Sequence, residues 1–183
     1  MLRSRGFTLI EVLVTITIMV ILMTLAVVNL RSTQVNARDA ERKSDIESIA
    51  RHLDSLYIRG FPASLNIPRG SYPSTVVMND ATNRNLIFAD LPKELLIDPG
   101  KTTSSETIFM ATNIFTGTDA KNSPATSVLP APGNDYPYVY QPIADDKTLC
   151  DNNPAGEVCR SFNIYTWIEG QEKQSIRIAS RHQ

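Results

Sequence analysis

The sequence predicts an α+β protein in which a long N-terminal helix packs against a small antiparallel sheet, and three observations predict it. Residues 7 to 59 contain neither glycine nor proline. Within that stretch an apolar run gives way to a single apolar stripe at helical spacing. Beyond residue 100 lie four strand candidates, three of them rich in Ile, Val, Tyr, Trp, Phe or Thr.

The helix begins behind a short basic segment, residues 1–6, with Arg3 and Arg5. From Val12 to Leu30 there are 19 residues with no Asp, Glu, Lys, Arg, His, Pro or Gly. That is enough for about 28 Å of helix, so the segment over 7–30 is long enough to span a bilayer. One carboxylate, Glu11, stands inside the apolar stretch. An ionisable group in such a place is costly and points to function, with a partner to be named. An ordinary secretory signal has a shorter apolar core with a small-residue cleavage site behind it. Here the apolar stretch is too long and no such site follows; the cleavable position, Gly6-Phe7, lies in front. Glycine lets a protease approach the backbone closely, and Arg5 holds the junction on the cytoplasmic side.

Over residues 31–58 the helix turns amphipathic. Ile46, Ile49, Ala50, Leu53 and Leu56 or Tyr57 recur at i, i+3, i+4, i+7 and i+10 or i+11. The first breakers are Gly60 and Pro62, which predicts one helix from about Phe7 to about Tyr57, roughly 75 Å long. Arg38, Arg42 and Lys43 interleave with Asp39, Glu41 and Asp45, the usual pattern of a solvated, ion-paired helix face.

Residues 59–183 read as a soluble head. Between Gly60 and Pro99 turn formers are dense, among them Phe61-Pro62, Arg69-Gly70, Tyr72-Pro73 and Leu91-Pro92. A wrapped loop is expected there, with short helical turns near Asn83 to Ala89 and Lys93 to Leu96. The strand candidates are Thr107 to Phe115, Tyr136 to Ile143, Arg160 to Glu169 and Glu172 to Ala179, the last two forming a hairpin. Phe162, Ile164, Thr166 and Ile168 alternate onto the helix side, with Tyr165 and Trp167 on the other. Residues 116 to 135 form a polar loop expected to be exposed. Cys150 and Cys159 enclose residues with turn chemistry. Their spacing matches neither CxxC nor a zinc site. In an exported head they are expected to form a disulfide worth about 2 to 3 kcal/mol, and in a cytosolic one to be two free thiols.

The stretch RGFTLIEVLVTITIMVIL closely resembles the signal of bacterial type IV prepilins and pseudopilins. In that family prepilin peptidase cuts after the glycine, here Gly6, and methylates the new terminal amine, here on Phe7. The carboxylate that neutralises a neighbour's amine in the filament matches Glu11. The resemblance implies the pilin fold and a structural subunit whose partners are other copies of itself, other pilins, the peptidase and an inner-membrane assembly platform. It also implies a course from single-pass membrane precursor to extracellular filament. ARDAERKSDIESIARHLDSLY is similar to the segment where pilins pass from bundle to head. Many type IVa pilins carry Gly and Pro within the membrane half; this chain has neither, so a continuous helix is expected.

Three roles fit this resemblance: a pilus subunit, a pseudopilin of a type II secretion system, and a minor pilin in adhesion or DNA uptake. Only the last would bring a nucleic acid partner. The cysteine loop is more like that of pilins. LPKELLIDPGKT resembles a segment of major pseudopilins near which calcium binds; Asp98, Asp119 and Asp135 are candidate oxygen ligands, although loop aspartates are ordinarily turn caps. No other cofactor or metal is expected.

Enzyme chemistry finds little support. The two histidines are His52, on the helix, and His182, next to the last residue and expected to fray. No G-x-S-x-G, H-E-x-x-H or Walker loop occurs. Asp145-Asp146 reads as a solvated turn pair. The net charge is −1, and removing Arg3 and Arg5 leaves 16 basic against 19 acidic side chains, or −3. That balance does not suit a general nucleic-acid binder.

Overall fold

The computed structural model describes residues 7–100, 108–110, 138–151, 156–169 and 175–182. The basic leader over 1–6, the polar loop over 116–135, the ends of the Thr107 to Phe115 strand, and Asp119 and Asp135 lie outside the described residues.

Helix α1 runs from Leu9 to Arg59, within the one or two residues by which helix ends ordinarily vary from the expected span. It stops where the sequence turns to glycine. Gly60 takes φ +93°, a left-handed value that favours glycine, and its N–H donates to the Leu56 carbonyl at 2.7 Å. The chain divides into two units, Met1–Ala37 and Arg38–Gln183.

In the first unit the helix is apolar on every side and exposed throughout its described residues up to Val27. Its hydroxyls turn inward: Thr15 donates to the Val12 carbonyl at 2.8 Å and Thr24 to that of Ile21 at 2.7 Å. Such back-bonding satisfies polar side chains where no water is available.

In the second unit the expected stripe is the core. Ile46, Ile49, Ala50, Leu53 and Leu56 are buried and cluster with Tyr140, Phe162 and Ile164 of the sheet. The sheet has the order β1 (Ile108–Met110), β2 (Tyr138–Ala144), β3 (Cys159–Trp167), β4 (Ser175–Ala179). β2, β3 and β4 are antiparallel neighbours, with Tyr140 opposite Ile164 and Ile164 opposite Ile178. β1 departs from the antiparallel expectation, pairing parallel to β2 with Ile108 opposite Tyr138. Parallel neighbours need a long connection rather than a tight turn, and residues 111–137 supply that length.

Pro142 is tolerated inside β2 because its backbone faces away from β3. Phe162, opposite it, spends its backbone groups on Ser180, while the Pro142 carbonyl accepts from the Cys150 N–H at 3.0 Å. Tyr165 and Trp167 do lie on the face away from the helix, but that face is buried too. Asn163 and Tyr165 both donate to Gln141 Oε1 there, at 3.0 and 3.1 Å.

The segment from Gly60 to Gly100 wraps the core through 3-10 turns at Ala63–Leu65 and Lys93–Leu96 and the short helices α2 (Thr75–Asn79) and α3 (Ala81–Ile87). Asp80 caps α3 by accepting from the Asn83 N–H at 2.9 Å. α2 carried no sequence signal of its own. It is held by the sheet end, where the Thr75 and Val76 N–H groups donate to the Cys150 and Asp151 carbonyls at 3.1 Å.

Two further expectations fail. The charged stretch 38–45 is not a solvated face. Arg42 is fully buried and Asp45 is 5% exposed, while Glu41 and Lys43 remain in solvent. Arg42 donates to Asp98 at 2.8 Å, to Asp39 at 2.7 Å and to Glu169 at 3.0 Å, so burial of its charge is compensated by carboxylates from three chain segments. His182 is not frayed either. Its ring stacks on Tyr57 at 4.8 Å, and its carbonyl accepts from the Ser180 hydroxyl at 3.1 Å.

Candidate assembly site at the start of the helix

The first turn of α1 is built by its own sequence. Thr8 precedes Leu9 as the N-cap, and Glu11 stands three residues on. The Glu11 N–H donates to the Thr8 hydroxyl oxygen at 3.3 Å, and Glu11 Oε2 accepts from the Thr8 N–H and from its hydroxyl, both at 2.8 Å. This reciprocal arrangement is a capping box, which satisfies donors that a helix start otherwise leaves open. Its signature, Thr-x-x-Glu at Thr8 to Glu11, is present in the sequence, where it stands inside the apolar run.

The carboxylate also favours the positive end of the helix dipole. Both hydrogen bonds to Glu11 land on Oε2. Phe7, Ile10, Val14 and Thr15 form an open notch beside it, and Phe7 is 85% exposed. The site therefore presents a fixed, exposed carboxylate at the head of an apolar helix segment whose described side chains up to Val27 are all exposed. Such a surface can pack against lipid or other apolar helices, and its one charge can meet a cation. Gly6, the expected cleavage residue, lies outside the described residues.

The other candidates with described side chains belong to the second unit. Cys150 and Cys159 form a disulfide, and both are fully buried. The Cys159 carbonyl accepts from the Tyr72 N–H at 2.8 Å, and the Cys159 N–H donates to the Ser71 hydroxyl at 2.8 Å. These backbone bonds stitch the segment around Tyr72 to the sheet, while the bridge closes its own loop and joins Cys159 to Cys150, whose carbonyl accepts from the Thr75 N–H at 3.1 Å. Asp98, considered as a calcium ligand, is buried with Oδ1 accepting from Arg42 and from the Gly100 N–H. Among the described residues no group of three or more His, Cys, Asp and Glu side chains could hold a metal ion. His52 Nε2 lies 2.7 Å from the Ile87 carbonyl. Asp145 pairs with Arg160, and Asp146 accepts from Thr148 within its turn.

Residues 1–27 match the family model of the prokaryotic N-terminal methylation motif, the signal of type IV pilins and pseudopilins. No curated protein and no solved structure matches the chain.

Proposed function

We propose that the protein is a structural subunit of a type IV pilus or pilus-like surface filament. It is made as a prepilin, cut after Gly6 by prepilin peptidase, methylated on Phe7, and then drawn from the membrane into the filament. The observation that carries this reading is Glu11, a lone exposed carboxylate on an otherwise uncharged helix segment, within residues matching the methylation motif. Once the leader is removed, the terminal ammonium of Phe7 is a cation within the same apolar surface. In an array of such helices, each Glu11 pairs with the ammonium of an adjacent copy. A misregistered copy leaves a charge stranded among apolar side chains, which is strongly unfavourable. Apolar packing supplies attraction and the ion pair supplies register.

In this reading the membrane-spanning segment is 7–30, the amphipathic half of the helix 31–58 and the exported head 59–183. Glu11→Ala tests it: the variant is expected to be processed to a mature chain beginning at Phe7 but to be missing from sheared filaments. Filaments containing normal amounts of the variant would refute the register role, and a mature chain starting elsewhere would refute the processing. A secretion pseudopilin shares this chemistry, as does a minor pilin. Immuno-electron microscopy with antibody to the head separates them: label along fibres marks a major subunit, label at tips a minor one, and absence of fibres a secretion piston.

A further inference from the structure

Asp45 is the one carboxylate of the 38–45 cluster that is buried without an ion-pair partner. It projects from α1 toward β2, where Oδ2 accepts a single hydrogen bond from the Tyr138 hydroxyl at 2.9 Å. The neighbouring guanidinium of Arg42 is committed to Asp39, Asp98 and Glu169. One helical turn away on the same face is another anion, Glu41. Across from it, β2 offers only neutral Tyr138, which also feels Asp98 and Arg42. A buried carboxylate with one neutral donor and a like charge one turn away is better accommodated with a proton than without one.

We propose that Asp45 is a proton-operated brace between α1 and β2, tightening the joint of helix and sheet when the medium around the head turns acid and loosening it when the medium is neutral or alkaline. Burial is the largest cause, pushing the Asp45 carboxyl up to about 6; the Tyr138 hydrogen bond opposes that rise and Glu41 adds to it. A group whose pKa is raised in the folded state binds its proton more tightly there, here on the order of a hundred-fold. Its stabilising contribution is complete below the ordinary aspartate range and is lost as pH rises through about 6. The Arg42 cage works oppositely and only at lower pH. The Arg38 guanidinium, chiefly, holds the Glu169 carboxyl below its usual range, so that part weakens only in stronger acid. Between about pH 7.5 and 5 the brace acts without that opposition.

Urea unfolding of the full mature chain in detergent micelles, followed by tryptophan fluorescence at pH 7.5 and pH 5, tests the proposal. The wild-type midpoint should rise on acidification. Asp45→Asn, which keeps an acceptor for Tyr138 without the charge, should begin with a higher midpoint at pH 7.5 and lose most of the rise. Glu41→Gln should move the rise to lower pH. A wild-type midpoint that falls or stays flat, or an Asp45→Asn variant with an undiminished rise, would overturn the brace. Should that variant fail to fold, carbon-13 NMR of the Asp45 carboxyl in the wild type decides. A titration midpoint near 6 supports the proposal, and one below 4.5 overturns it.

Discussion

Glu11 and Arg42 are both charges on α1, and the structure handles them in opposite ways. Glu11 stays exposed, fastened only to Thr8 by the capping box. Arg42 is enclosed by three carboxylates. Replacing Arg42 by Ala strands Asp98, itself fully buried, beside Asp39 and Glu169, and is expected to destabilise the second unit by about 3 to 5 kcal/mol. Urea denaturation of the variant against wild type measures it. Thr8→Ala removes the cap and should cost the helix start about 1 kcal/mol. Faster hydrogen exchange confined to the first turn in micelles is the expected sign, with the head unchanged. Glu169 fixes the sign of the acid limb: its carboxyl is held low by Arg38 and then Arg42. Its contribution is present above the ordinary glutamate range and disappears as pH falls through its lowered pKa. Glu169→Gln should therefore flatten the loss of stability in strong acid.

The elements were legible where a period or a breaker announces them. The stripe from Ile46 to Leu56 is core at every position, because residues three and four apart share one helix face. Leu53 is fully buried, so Leu53→Ala is expected to cost about 2 to 5 kcal/mol, read as a lowered thermal midpoint. The hairpin of β3 and β4 followed from two strand-favouring runs with a short gap. The parallel β1 did not, since a residue's preference for extended backbone says nothing about the direction of its neighbour. α2 has no signal in the sequence for a related reason: it is held by hydrogen bonds to residues more than seventy positions away. The disulfide belongs at this scale because it joins Cys150 to Cys159, and the carbonyls of both accept hydrogen bonds from the segment 72–75. The double variant Cys150→Ala, Cys159→Ala should lose about 2 to 3 kcal/mol. Its expected signature is faster proteolysis around residues 71–75 as well as within the 150–159 loop.

At the scale of the whole molecule two chemistries share one chain. The unit Met1–Ala37 carries a helix segment that exposes apolar side chains all round, and the unit Arg38–Gln183 buries its own core. A chain so divided should extract only with detergent, while its head resists protease; recovery of the full chain in a carbonate-washed soluble fraction would contradict the membrane stage proposed for the precursor.

The sequence alone determined the helix, its change from apolar to amphipathic, its end at Gly60, the core stripe and the methylation motif, because each is written in spacing, composition or local chemistry within a few residues. Only the tertiary structure decided what the charged stretch 38–45 does. Arg, Asp and Glu at helical intervals look alike whether solvated or buried, and the difference lies in Asp98, Glu169 and Tyr138, which approach from other segments. Burial of a charge depends on such distant partners, and the pattern along a single helix cannot name them.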